Sequence, residues 1–205
     1  MLKWLKPRAE PRSAVGYAIR SRLLVRGKEI RQVQFATDRY VVTEVERTAL
    51  LFRSDREERY IVDRAQRRLV RIDNSAQQNE MRKVREAAGD VAVEEVDGIV
   101  EISGFPCAHR RFSNRSTALV LSGDVYHASV PGLERTALAA ERRFDQPLQP
   151  FALPLAPDEV IVRSHTLALS AGFEQTQGLE LTELGESPEL IDTYDALLSL
   201  PVVGP

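Results

Sequence analysis

Alternation of apolar and polar residues near the start of the chain constrains the fold more than any other feature. In VGYAIRSRLLV, which starts at Val15, apolar residues recur at every second position over most of the segment, and arginines stand between them. Successive side chains of a β-strand point to opposite faces, so this period predicts a strand with one apolar face. Its apolar positions are Val15, Tyr17, Ile19, Leu23 and Val25.

Further short segments with strand character follow before residue 74. They are EIRQVQFAT, RYVVTEVE, TALLFR, ERYIVDR and RRLVRID, and short polar turns separate them. Parallel strands need a crossover of a dozen or more residues, whereas antiparallel strands can be joined by tight turns. The spacing therefore predicts an antiparallel meander and excludes a series of βαβ units.

Three segments have helical rather than strand character. NSAQQNEMRKVREAAGD opens on residues that cap helices and stops at Gly89, which predicts a mostly polar helix over residues 75–88. A second helix is predicted from Leu133 to Phe144. SPELIDTYDALLSL predicts a C-terminal helix capped by Ser187, with Pro188 at its first position.

Strands return after the first helix, and the fold class follows from this order. Asp97-Gly98 is predicted to form a hairpin turn between two strands, and residues 159–184 a final hairpin. We predict an α+β fold: a curved antiparallel meander of about eight to ten strands, with two or three helices covering the concave side. One face of the sheet is expected to be covered, and the other to meet water.

The length of 205 residues fits one domain, predicted over residues 15–205 after a flexible tail at residues 1–14. Lys3 and Lys6 flank Trp4, but the segment breaks at Pro7 without the apolar stretch of about 7–15 residues that export requires. This N-terminus predicts a cytoplasmic location. A trimmed N-terminus would instead be consistent with the periplasm or cell envelope. The absence of an apolar run of about 18 residues predicts no transmembrane helix.

Charge argues against nucleic acid as a partner. The 28 basic residues are mostly arginine, but 30 acidic residues are interleaved with them and the formal net charge is −2. Residues 151–205 hold one basic residue, Arg163, and nine acidic ones. We interpret this asymmetry as attraction between two halves of one domain rather than as a partner surface.

The chain's only cysteine, Cys107, precedes His109 by two residues in EISGFPCAHRRFS. Both would lie on one face of a strand, but nucleophilic cysteines usually lie at a strained turn or a helix start. We therefore expect Cys107 to pack as a small apolar residue within the sheet and assign no catalytic residue. The three histidines lie in separate segments without metal-ligand spacing, so no metal or other cofactor is expected.

The order of segments resembles the LolA/LppX-like superfamily, and in particular its DUF4412-like branch. The matching stretches are ERYIVDRAQRRLVRID, the polar helix after it, and DGIVEISGFPCAHRRFS with Ile102, Gly104 and Cys107 in an I-x-G-x-x-C pattern. The resemblance implies a strongly curved half-barrel that encloses an apolar cavity for acyl chains or another hydrophobic ligand. It brings no catalytic residues. Members are normally exported, often as lipoproteins, and this sequence shows neither signal peptide nor lipobox cysteine.

Two functions are compatible with this sequence. The first is a non-enzymatic binding module that holds a hydrophobic ligand or an acylated partner in its curved sheet. The second is a structural or protein-interaction domain with a packed core and no small ligand; the sequence does not indicate an oligomeric state. For the first function the predicted inward-facing residues of the cavity are Tyr17, Ile19, Val33, Phe35, Val70, Ile72, Ile102 and Leu119.

Overall fold

A computed structural model of the protein describes residues 13–151 and 153–204 and contains twelve strands and three α-helices. The strands are β1 (Gly16–Val25), β2 (Lys28–Thr37), β3 (Tyr40–Val45), β4 (Thr48–Arg53), β5 (Glu58–Asp63), β6 (Arg68–Arg71), β7 (Val91–Ile102), β8 (Phe105–Asn114), β9 (Leu119–Ser129), β10 (Glu159–Ser170), β11 (Phe173–Glu186) and β12 (Val202–Val203). The helices are α1 (Ser75–Ala88), α2 (Leu138–Asp145) and α3 (Ile191–Asp195). The predicted α+β class with a curved, mostly antiparallel sheet is confirmed. The predicted tail at 1–14 falls outside the described residues except for its last two.

All twelve strands belong to one open sheet built from two meanders. Its order is β12-β6-β5-β4-β3-β2-β1-β11-β10-β9-β8-β7, so β1–β6 follow one another on one side and β11–β7 on the other. The two meanders meet where β1 pairs with β11. The short edge strand β12 runs parallel to β6, and every other strand pair in the described chain is antiparallel. Early and late parts of the chain are therefore neighbours at the centre of the sheet.

The prediction of a hairpin at Asp97-Gly98 is wrong. Gly98 has φ 102° and lies inside β7, where the pairing with β8 shifts between Val96 and Val100. The hairpin instead turns at Ser103-Gly104, whose φ angles of 53° and 80° are the two consecutive positive values that a tight hairpin turn requires. The conformational freedom of Gly98 thus accommodates a β-bulge, which increases the local twist of the strand.

The expectation of one solvent-facing side does not hold for β1–β4, because two hydrophobic clusters receive alternate residues of these strands. Tyr17, Val41 and Phe52 belong to the first cluster, whereas their neighbours in sequence Ala18, Val42 and Leu51 belong to the second. Leu138 of α2 packs into the first cluster, and Ile191 of α3 into the second. The runs YVV and ALLF in β3 and β4 are the sequence signal for this burial on both faces.

The helices agree with the sequence to different degrees. The first occupies the predicted residues 75–88 and ends at Gly89, whose φ is 65° and whose N–H donates to the Arg85 carbonyl at 2.9 Å. The second divides into a 3₁₀ turn and α2, because Thr136 is extended between them and its Oγ1 accepts from the Leu138 N–H at 3.3 Å. The third also divides into α3 and flanking 3₁₀ turns. No helix in the described ranges is long and apolar enough to cross a membrane.

Candidate functional site

A cleft of about 850 Å³ lies between α1 and strands β8–β11. This volume falls within the range of about 300–1,000 Å³ that is typical of ligand-binding pockets. Most of the lining side chains are apolar. Helix α1 contributes Met81, Val84 and Ala87, and the strands contribute Phe112, Leu119, Leu121, Val125, Ile161 and Leu167.

Helix α1 is held over the sheet by side chains that bind the carbonyl groups of its last turn. Asn114 Nδ2 donates to the Ala88 carbonyl at 2.7 Å, and Ser116 Oγ donates to the Ala87 carbonyl at 2.6 Å. These carbonyls have no partner inside the helix, so the two bonds satisfy the helix end and fix its distance from β8 and β9. The helix is consequently a fixed wall of the cleft.

A second wall is the strap, which we define as residues 149–151 and 153–156. Phe151 of the strap packs on Phe112 with ring centroids 4.4 Å apart. At the far end of the strap Arg142 Nη1 donates to the Ala156 carbonyl at 3.3 Å, and the Ala156 N–H donates to Glu159 Oε2 at 2.8 Å. The strap contains Pro150 and Pro154, which cannot donate to a sheet ladder, and none of its described residues belongs to a strand.

A glycine makes room for Phe112 in the floor of the cleft. Gly123 pairs with Phe112 across β8 and β9. A Cβ atom at Gly123 would lie 2.6 Å from Phe112 Cζ and 2.3 Å from the His165 carbonyl oxygen, closer than real contacts of this kind. Glycine at this position therefore leaves room for the aromatic ring of Phe112, which contacts Phe151 of the strap.

A buried ionic group lies next to the cleft. His127 pairs with Ile161, a lining residue, and is only 3% exposed; its Nδ1 lies 3.0 Å from Glu159 Oε1. Glu159 Oε2 also accepts from Arg110 Nη1 at 3.3 Å, and Arg110 in turn bonds the Pro154 carbonyl of the strap. Burial lowers the pKa of His127, although the charge of Glu159 opposes this shift. The group ties the strap to β8, β9 and β10.

Cys107 and His109 do not form a nucleophile and base pair. Cys107 is fully buried in the first hydrophobic cluster, and its Sγ lies 3.3 Å from the Phe105 carbonyl oxygen. His109 Nε2 lies 2.7 Å from Asp124 Oδ1, and its ring stacks on Tyr126 at 4.4 Å. The expectation that Cys107 packs as a small apolar residue within the sheet is therefore confirmed. The interpretation of EISGFPCAHRRFS as one strand is wrong, because the hairpin turn at Ser103-Gly104 separates β7 from β8.

The histidines do not assemble a metal site within the described residues. His127 is bound to Glu159, His109 to Asp124, and His165 is exposed on β10. Across residues 13–151 and 153–204 no group of three or more His, Cys, Asp or Glu side chains could hold a metal ion.

The structure does not bring the eight predicted cavity residues together. Tyr17, Ile19 and Ile102 are buried in the first cluster and Phe35 in the second. Val33 on β2, Val70 on β6 and Ile72 just after β6 are half-buried elsewhere. Of the eight residues, Leu119 lines the cleft. That these residues contact a ligand stays a prediction.

Most residues of the cleft were not identified from the sequence. The segment after Asp145 holds four prolines in about a dozen residues, which predicts only irregular or extended structure, yet its Phe151 and Leu153 line the cleft. One signal was present: Met81 and Val84 are spaced for one face of an otherwise polar helix, which indicates that α1 covers an apolar surface. Which surface it covers depends on pairings distant in sequence.

Comparisons with known proteins show a distant likeness of backbone alone. No family model and no curated protein matches the chain. The solved structure of PNGF-II has a TM-score of 0.45 and 11% identity; the match covers 94% of this chain and 31% of PNGF-II, so the chain spans about a third of that protein. A DUF1329 family protein from Desulfovibrio piger has a TM-score of 0.39 and 10% identity, with 89% of this chain and 90% of that chain covered.

Proposed function

We propose that the protein is a binding module that holds a hydrophobic ligand in the cleft between α1, the strap and strands β8–β11. The observation that carries the proposal is a fixed cleft of about 850 Å³ with a mainly apolar lining. Apolar surface in contact with water is unfavourable, and each methylene group of a ligand buried there contributes about 0.8 kcal/mol. A chain of about ten methylenes would contribute about 8 kcal/mol before the costs of association are subtracted.

The ligand site differs from the cavity that the sequence predicted. Side chains of the first cluster fill the space between α2 and one face of β1–β4, and side chains of the second cluster fill the space between α3 and the other face. Several of these side chains are completely buried. A ligand therefore binds on the β8–β11 half of the sheet, in the cleft that α1 and the strap line together with the strands.

We test the proposal by titrating the protein with phenylnaphthylamine, an uncharged dye that fluoresces in apolar surroundings. The wild-type protein is expected to bind it saturably, and Leu119→Lys to bind it at least about ten-fold more weakly, because a charged side chain then lies in the apolar lining. Ile61→Lys is the matched control: Ile61 is 43% exposed on β5, away from the cleft. Equal dye binding by the two variants would contradict the proposal.

The alternative, an interaction domain without a small ligand, has support from another observation. Ile99 and Val100 on the edge strand β7 are 68% and 46% exposed. An edge strand with exposed apolar residues can pair with another chain. The same titration separates the two functions, since an interaction domain has no saturable dye site that Leu119→Lys removes.

We also propose membership of the LolA/LppX-like superfamily, in its DUF4412-like branch. The curved open sheet supports this relationship. An acylated partner as the ligand is consistent with it.

A further inference from the structure

The cleft has a polar side as well as an apolar one. Strands β10 and β11 present the neutral side chains of Ser164, Thr166 and Ser170, and of Gln175 and Gln177. Thr166 stands opposite Gln177 in the pairing of β10 with β11. Hydroxyl and amide groups of β10 and β11 therefore line one part of the cleft, and the apolar side chains of α1, β8 and β9 line another.

These polar groups are available to a ligand. Thr166 Oγ1 donates to the Gln177 carbonyl at a long 3.4 Å. The side chains of Ser164, Ser170, Gln175 and Gln177 make no hydrogen bond to another residue in the described part of the chain. Hydroxyls and amides both donate and accept, so together they can bind hydroxyl and ester oxygens of a ligand.

Formal charge in the lining is confined to one ion pair. Among the described lining residues only Glu80 and Lys83 are charged, and Lys83 Nζ lies 2.9 Å from Glu80 Oε1. A ligand carboxylate or phosphate would compete with Glu80 for Lys83 and would otherwise be without a cation. An ionised group that loses water without gaining a partner is unfavourable.

We infer that the cleft selects single-chain amphiphiles with an uncharged, hydroxyl-bearing head group of the monoacylglycerol type. This inference rests on the proposed function, because it names the ligand class of the same cleft. The acyl chain lies along α1, Phe112 and Leu121, and the head group faces Thr166 and Gln177.

The test compares monolaurin with laurate, which share one acyl chain and differ in head-group charge, by calorimetric titration at a pH where laurate is ionised. The wild-type protein is expected to bind monolaurin at least about ten-fold more tightly, because the laurate carboxylate lacks a free cation. Laurate binding as tightly as monolaurin overturns the inference and leaves the proposed function intact. Binding of neither ligand overturns both.

Three variants make the result specific to the polar side of the cleft. Gln177→Lys adds a cation there and is expected to tighten laurate binding about two- to five-fold, the effect of an exposed ion pair. Thr48→Lys adds the same charge to an exposed position on β4, away from the cleft, and should leave both affinities unchanged. Lys83→Gln should leave monolaurin binding unchanged, and a loss of monolaurin affinity there would overturn the inference, because Lys83 rather than the polar side chains of β10 and β11 would then hold the head group.

Discussion

The thiol of Cys107 lies in the first hydrophobic cluster, with Sγ 3.3 Å from the Phe105 carbonyl oxygen, and burial raises its pKa. Because the thiolate is the reactive form, a raised pKa and a lack of solvent access both slow its chemistry. The neighbouring His109 cannot compensate, since its Nε2 is engaged by Asp124.

We expect native protein to react slowly with iodoacetamide at neutral pH and denatured protein to react rapidly, because unfolding exposes Cys107 and restores the ordinary thiol pKa. Cys107→Ser should lower the free energy of unfolding by about 1–3 kcal/mol, the cost of burying a hydroxyl in an apolar site. The control is Ser113→Cys in that background: Ser113 is exposed on the same strand and should label rapidly in the native state. Rapid native labelling of Cys107 would contradict this account.

At the scale of single elements, helix α2 is attached to the sheet by a nearly buried ionic cluster. Arg59 of β5 donates to Glu141 Oε1 at 2.8 Å and contacts Asp145 at 2.6 Å, one turn further along the helix. The Arg59 guanidinium also lies 5.6 Å from the centre of the Phe144 ring. Burial raises the pKa of Glu141 to about 7, although the positive charge of Arg59 acts in the opposite direction.

This pKa predicts how stability depends on pH. A carboxyl whose pKa is higher in the folded than in the unfolded protein binds more protons when folded, so its contribution to stability falls as pH rises from about 4.5 to about 7. Glu141→Gln cannot ionise and should remove up to about 3 kcal/mol of this decline, measured by urea unfolding at both ends of the range.

The control for this experiment is Glu80→Gln on α1, whose side chain is 72% exposed. An exposed substitution of this kind usually changes stability by no more than about 0.5 kcal/mol, and it should not alter the pH dependence. If Glu141→Gln and the wild-type protein lose stability in parallel between these pH values, Glu141 does not titrate near neutral pH in the folded protein.

At the scale of the whole molecule, the pairing of β1 with β11 joins the two meanders. Leu181 of β11 is 1% exposed and packs in the cluster that also holds Tyr17 and Ile19 of β1. On the surface Arg20 contacts Glu183, and Arg22 contacts Glu180, each at 2.6 Å. These ion pairs agree with the interpretation of the charge asymmetry as attraction within one domain.

We expect the two meanders to unfold together, as the prediction of one domain over residues 15–205 requires. Leu181→Ala should lower the free energy of unfolding by about 2–5 kcal/mol and reduce hydrogen-exchange protection in β2–β5 and in β8–β10 alike, because the cavity lies at their junction. Leu24→Ala, at a site 51% exposed on β1, is the control and should change little. Loss of protection in one meander alone would show that the meanders are separate folding units.

Local patterns in the sequence determined the strands of the first meander, helix α1 from its first to its last residue, and the antiparallel fold class. Each of these features follows from a pattern of residues that are close together in the chain. The strands follow from an apolar period of two, the end of α1 from Gly89, and the antiparallel class from the short polar turns. The same patterns could not distinguish the bulge at Gly98 from a hairpin turn, because both use a glycine with positive φ.

The tertiary structure decided where the core and the cleft lie. Burial of β1–β4 on both faces requires α2 and α3, which come much later in the chain, to return to opposite sides of the same strands. The cleft likewise exists because Asn114 and Ser116 bind the end of α1 and Arg110 and Arg142 bind the strap. Contacts between residues far apart in sequence leave no periodic signal. The apolar period of a strand or helix shows that one of its faces is buried, but not which other element covers that face.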